Sequence, residues 1–332
     1  TLTAYGDGTC PDASDFMVLT IWPEAQVFAG QNDTICEGST FQPLDATALN
    51  YTGLGWTTAG DGSFSDTSLL YPVYTPGAGD IATGSVVLTL TAFANGSCPD
   101  VSDDLTLFIS SQPVAYAGVD AEICETGLYT LADASASNYT SLLWTSTGTG
   151  TFTDPTILNP TYTPSQNDMN AGFVVLTLTA FGDGICPDAS DNMVLTITGQ
   201  AAAYAGADAS VCETDLSYTL SDATADEYAS LQWSTSGDGT FNDITILHPT
   251  YTIGTNDIAN GSVYLILTAY ANGSCVDAVD TMLLTIGLQP IVDAGPDDEM
   301  CETDVTYTLA GASATNATSV LWTTDGTGTF SD

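Results

Sequence analysis

The residues with most chemistry to offer are eight cysteines in two series. Cys36, Cys124, Cys212 and Cys301 form one, and Cys10, Cys98, Cys186 and Cys275 the other; each advances in steps of 88, 88 and 89 residues. Thiols can bind zinc, act as nucleophiles or pair as disulfides. Zinc sites built on cysteine use close pairs or histidine partners, and here there is no Cys-x-x-Cys and only one histidine. Two cysteines per period therefore point to disulfides in an oxidising compartment. The histidine, His248, stands where neighbouring copies carry Tyr71 and Asn159, so it lies outside the repeated design. A Ser–His–Asp arrangement would need a site unique to one copy. Acidic pairs fit for proton transfer recur with the period, which suits a structural or ion-binding role better than one active centre. No catalytic constellation emerges, and no enzyme is expected.

Charge narrows the field further. The 332 residues include 41 Asp and Glu and no Lys or Arg, a formal charge of −41. Nucleic acids and phosphate ligands need cationic partners, which are missing. Anionic membrane surfaces repel such a chain, and no segment reaches the ~18–20 apolar residues of a membrane-spanning helix. Disorder is not implied, because 44% of the residues are hydrophobic, enough to build cores. The acids read as a solvated skin that blunts edge-to-edge aggregation.

What must position the cysteines is a repeat. Trp56, Trp144, Trp233 and Trp322 recur at intervals of 88, 89 and 89 residues, one core tryptophan per copy. The units run 24–111, 112–199 and 200–288, with a C-terminal part of a copy at 1–23 and an N-terminal part at 289–332. The sequence thus reads as an interior stretch of something longer. In the middle unit Val174 to Phe181 alternates with period two, placing Val174, Leu176, Leu178 and Ala180 on one face. Met193 to Ile197 does the same, and Gly182-Asp183-Gly184 supplies the turn between them. Leu142 to Thr145 carries Trp144 inward and is followed by a turn at Gly148-Thr149-Gly150; Tyr129 to Leu131 and the stretch before Cys124 complete the pattern. No apolar period of 3.6 appears. About seven short strands around one tryptophan predict an all-β fold: tandem immunoglobulin-like β-sandwiches stacked end to end into a rod.

The motifs Ala-Gly-x-Asp-x-x-Ile-Cys-Glu (Ala117–Glu125), Tyr-Thr-Leu (Tyr129–Leu131), Trp144, Asn-Pro-Thr-Tyr-Thr-Pro (Asn159–Pro164) and Gly-x-Cys-Pro-Asp-x-Ser-Asp (Gly184–Asp191) carry a resemblance. The whole chain resembles the Ig-like/PKD-like repeats of very large Bacteroidota surface proteins exported by type IX secretion, of which the SprB-type gliding-motility adhesins are one kind. The third copy departs from the pattern, with Ile253 for Pro76 and Pro164, and Val276 for Pro99 and Pro187. The resemblance implies an extracellular, cell-surface location and a non-catalytic fibre for adhesion or motility. Its partners would be neighbouring repeats and a surface polysaccharide or substratum. Two other classes stay open: carbohydrate-binding or spacer modules of a secreted polysaccharide-degrading enzyme, and a self-assembling sheath or filament.

The joints between repeats are the candidate sites. Pairing within a repeat would give Cys36–Cys98, Cys124–Cys186 and Cys212–Cys275. Yet Cys124 ends a first strand at the pole facing the next repeat, while Cys186 follows the last hairpin turn at the opposite pole. A ten-residue strand spans ~33 Å, and bridged Cα atoms lie within ~7 Å. Stacking end to end would instead bring Cys36 to Cys186 and Cys124 to Cys275. Both pairings remain open from sequence. The same poles carry Asp120 and Glu125 on one side, with Asp277 and Asp280 from the facing hairpin. Together these form a candidate calcium site, calcium being the one cofactor considered, against the alternative of solvated turn residues. Short linkers such as Ser110–Pro113 leave little room to flex.

Overall fold

The alternating segments form long strands because one face of each can be buried completely. The computed structural model describes residues 1–331. In the middle repeat the elements are β1 (Val114–Tyr116), β2 (Ala121–Cys124), β3 (Tyr129–Thr130), β4 (Ser135–Ser137), β5 (Ser141–Ser146), β6 (Thr151–Phe152), β7 (Thr161–Thr163), α1 (Gln166–Ala171), β8 (Phe173–Phe181) and β9 (Ala189–Thr198). One sheet has the order β2-β9-β8-β5; a second has the order β3-β7-β6, and β1 pairs with β4. All neighbours are antiparallel except β2 and β9, which run parallel with Cys124 opposite Thr198. The first and third repeats repeat the same four-stranded order.

Between the layers lies one core per repeat. Val174, Leu176, Leu178 and Ala180 of β8 are fully buried, and Trp144 is 2% exposed. Met193, Leu195 and Ile197 of β9, with Leu131 and Tyr162 from the facing layer, close the cluster. Each large side chain buried in this way contributes about 1.5–3 kcal/mol. Trp56 and Trp233 centre the equivalent clusters. The three clusters stay within 24–111, 112–199 and 200–288, and none crosses a boundary. The chain is therefore a tandem array of immunoglobulin-like β-sandwiches.

Two features depart from the sequence reading. Each complete repeat contains a six-residue helix, Ala78–Thr83, Gln166–Ala171 or Thr255–Asn260. A helix under two turns shows no 3.6-residue period, so its signature is local: in the middle repeat Ser165 caps it and Gly172, at φ 76°, ends it. Trp322, in the copy that starts at 289, is only partly buried. Its ring keeps Phe330 at 6.1 Å, as Trp144 keeps Phe152. However, the strand pair β8–β9 that covers Trp144 has no counterpart in residues 289–331.

The connections between sandwiches are three residues long, as from Ser110 to Val114. Asn50 and Asn138 sit at φ 57° and 56°, a left-handed conformation that asparagine tolerates better than most residues. Their side-chain amides donate to the carbonyls of Glu24 and Gln112, each 3.0 Å away, tying the turn to the connection before it. Turn geometry thus explains these asparagines. Glu227 occupies the third such position at φ 53° without an asparagine's advantages.

Candidate functional site

Parallel pairing of β2 with β9 brings Cys124 to the end of the sandwich where the next repeat begins. The turn after β8 carries Cys186 to the opposite end. Disulfides accordingly run between repeats: Cys36 bonds Cys186 and Cys124 bonds Cys275, with Cα–Cα distances of 4.9 and 4.8 Å. The within-repeat alternative does not form. Cys36 and Cys98, or Cys124 and Cys186, sit at opposite poles of one sandwich, and Cys98 and Cys212 are free. Each staple closes about 150 residues of chain, a loop worth about 5 kcal/mol in the chain-entropy model.

Polar contacts line both joints. At the first, Asp183 accepts from the amides of Ile185 and Cys186 at 2.9 and 3.1 Å. The hydroxyl of Ser110, from the preceding repeat, together with those amides, pulls its carboxyl down to about 2. At the second, Glu122 accepts from the Thr198 hydroxyl at 2.7 Å. Its carboxylate also lies against Gly273 in the facing turn, where a Cβ would collide with it. Gln200 donates to the Val276 carbonyl at 2.7 Å.

The four carboxylates proposed for calcium do not converge there. Asp120 accepts from the Val194 amide and Asp280 from the Ala205 amide, each at 2.8 Å and within its own repeat. Asp277 accepts from Ala271 at 2.8 Å inside the hairpin turn. Glu125 contributes its backbone, donating to the Thr198 carbonyl. Among the described residues no group of three or more His, Cys, Asp or Glu is placed to hold a metal ion. Three of the four carboxylates are taken up by backbone amides and Glu125 takes part only through its main chain, so this set does not fit calcium.

A second polar site was not anticipated from sequence. Asp80, Asp168 and Asp257 are 3%, 2% and 1% exposed, the only buried charged residues described. Asp168 accepts from the amides of Thr149, Gly150 and Ser165, each at 2.9 Å, and from the Tyr162 hydroxyl at 2.8 Å. Burial alone would push its carboxyl up; the Ser165 and Thr149 amides and the Tyr162 hydroxyl outweigh it and hold the group below its ordinary value. The tyrosines respond in the opposite sense. Burial first, then the hydrogen bond to Asp80, raises Tyr74 to about 12, and burial with Asp257 raises Tyr251 to about 12 against the opposing Thr235 hydroxyl. Gly148 and Gly150 are needed for close approach: a Cβ on the first would overlap the Asp168 carboxylate, and on the second the Tyr162 ring. This cage pins the β5–β6 turn, β7 and α1 together, a structural task.

Helix capping around the cage takes two forms. In the middle repeat Ser165 caps α1 and its hydroxyl meets that of Thr149 at 2.7 Å. In the first, Gly77 replaces the serine and Asp61 replaces the threonine, its carboxylate accepting from the amides of Gly79 and Asp80. Gly254 and Asp238 repeat that solution. A Cβ at Gly77 would overlap Asp61, so the two choices are mutually exclusive. His248 is exposed, with Nε2 3.0 Å from the Ala223 carbonyl, a turn contact and no triad.

Fold and joints define the class, an array of immunoglobulin-like sandwiches stapled by disulfides. No family model matches the chain, and no curated protein does. Among solved structures it is similar to the I-band fragment I67–I69 from titin, at 12% identity and TM-score 0.47, covering 81% of this chain and 100% of that one. Mouse cadherin-23 EC22–24 matches at 13% identity and TM-score 0.37 over 80% and 99% of the two chains. Sidekick-1 immunoglobulin domains 1–4 match at 12% and 0.36 over 79% and 75%.

Proposed function

We propose that this chain is a non-catalytic, load-bearing stretch of an extracellular fibre, part of a cell-surface adhesin of the kind its repeat motifs resemble. The staples between successive repeats carry this reading. A disulfide within a domain stabilises that domain, whereas Cys36–Cys186 and Cys124–Cys275 fix one domain to the next. Disulfides persist in oxidising, extracytoplasmic settings. Short connections and a charge of −41 favour an extended array over a folded-back one. No helix of the described residues is long and apolar enough to cross a membrane.

Two measurements test this. Electron microscopy of the oxidised chain should show a rod, with three complete repeats of ~40 Å each giving ~120 Å; a compact particle would reject the extended fibre. Antibodies against the chain should label intact source cells along surface filaments. Labelling only after permeabilisation would reject the location. Binding to a soluble polysaccharide would favour the carbohydrate-binding alternative, and ordered lateral lattices the sheath.

A further inference from the structure

We infer that the staples and the strands between them form two continuous covalent tracks that carry tension past the folded body of every repeat. The inference takes from the proposed function only that the chain bears load.

The distance from the second-series cysteine of one repeat to the first-series cysteine of the next is always 26 residues: Cys10 to Cys36, Cys98 to Cys124, Cys186 to Cys212, Cys275 to Cys301. Residues 98–124 contain Val101–Ser110, which crosses the first repeat, and then β1 and β2, which cross the second; they contain no helix. At ~3.4 Å per residue such a tract reaches ~88 Å. Two repeats, each one ten-residue strand plus a joint, span ~80 Å. The tract is therefore close to taut in the folded protein.

Where one tract ends, a disulfide passes the load on. Cys124–Cys275 joins tract 98–124 to tract 275–301, and Cys36–Cys186 joins tract 10–36 to tract 186–212. Every complete repeat holds one strand from each track. These strands are hydrogen-bonded side by side and run the same way: Asp33–Cys36 with Val101–Ser110, β2 with β9, and Ala209–Cys212 with Ala278–Gly287. The rest of the repeat, including its tryptophan, helix and aspartate cage, lies in the loop from Cys124 to Cys186 or its counterparts. The two ends of that loop are fixed to the tracks, so tension separates them only by the small slack of the tracks.

The free thiols make the test direct. Replacing Cys10 and Cys212 by serine leaves Cys98 and Cys301 as attachment points for DNA handles, with both staples intact. Loaded through them, the covalent path is two tracts of 26 residues. The oxidised molecule should stop lengthening at ~180 Å, without unfolding steps. Adding reductant to the same molecule opens the full 203 residues from Cys98 to Cys301, and extension should then reach ~690 Å through successive unfolding events. Replacing Cys124 and Cys275 by serine as well should release a limit near ~600 Å, through the remaining Cys36–Cys186 path. Stepwise extension of the oxidised, doubly stapled molecule well beyond ~180 Å would overturn the tracks. Failure of surface labelling would leave this result untouched, so the two readings fail separately.

Discussion

Replacing Asp168 by asparagine keeps the side chain's shape and removes its charge. The carboxylate accepts four hydrogen bonds, one on Oδ1 from Thr149 and three on Oδ2 from Gly150, Tyr162 and Ser165. With the asparagine oxygen at the Oδ2 position, its NH2 group faces the Thr149 amide, donor against donor. Losing a hydrogen bond to a charged acceptor costs about 1.5–3 kcal/mol, and the three that remain weaken because charge-assisted bonds are roughly twice as strong as neutral ones. The sum is about 3 kcal/mol of local stability, a little over a hundredfold in an opening equilibrium. Hydrogen exchange read by mass spectrometry is the right assay, because a stapled array has no single unfolding transition. Peptides covering 147–153 and 160–172 should lose about a hundredfold in protection, while the equivalent peptides around Asp80 and Asp257 keep theirs. The pH dependence has a fixed sign. Asp168 is held below its ordinary 3.8, so its contribution is present above that value and is lost as pH falls through the folded one. The difference between parent and variant should close only in acid below about pH 4. Protection within threefold of the parent at neutral pH would refute the cage as a stabilising element.

Glu227→Asn should stabilise the third repeat by about 0.5–1 kcal/mol, since it puts an αL-tolerant residue where the first two repeats carry Asn50 and Asn138; urea titration of the variant checks this, and a loss of stability would contradict it. Gly77→Ser alone should destabilise the first repeat, because the new Cβ overlaps Asp61, whereas adding Asp61→Thr should restore it. A double-mutant cycle should give a coupling of about 1–2 kcal/mol, and additivity would show that the two positions act independently. Above pH 10 the fold should weaken. Tyr74 and Tyr251 ionise at about 12, above their ordinary 10.0, so their contribution is intact below 10 and lost as pH rises towards 12. Tyrosinate absorbance followed alongside circular dichroism should show a late-ionising fraction that titrates with unfolding; uniform ionisation near 10 in a folded chain would rule this out.

The cage also shows where sequence reading stops. In a chain with 41 acidic side chains, one aspartate near a turn looks like any other solvated acid. The available signal was spacing: Tyr74 and Asp80, Tyr162 and Asp168, and Tyr251 and Asp257 are each six apart, and each pair follows a Gly-x-Gly turn. The missed helix belongs to the same node, since six residues cannot display a helical period. Glu122 reaches the joint, where the spacing of acids around Cys124 points to Asp120 and Glu125. Its place depends on which side of β2 faces the neighbouring turn.

The period, the class of fold and the core are all legible in the order of residues. Alternation of apolar residues dictates which face of each strand is buried, and one tryptophan per 88 or 89 residues marks each separate core. Composition also excludes cationic chemistry, because that needs only a count of residue types. The cysteine pairing and the fate of the acids depend instead on long-range contacts of the folded chain. Two pairings satisfied the same cysteine spacing, and the choice turned on β2 lying parallel to β9, a long-range contact that sends Cys124 to the far pole. Likewise, whether a carboxylate meets a backbone amide, a metal ion or water depends on which groups the fold brings within about 3 Å of it, and no linear pattern encodes that distance.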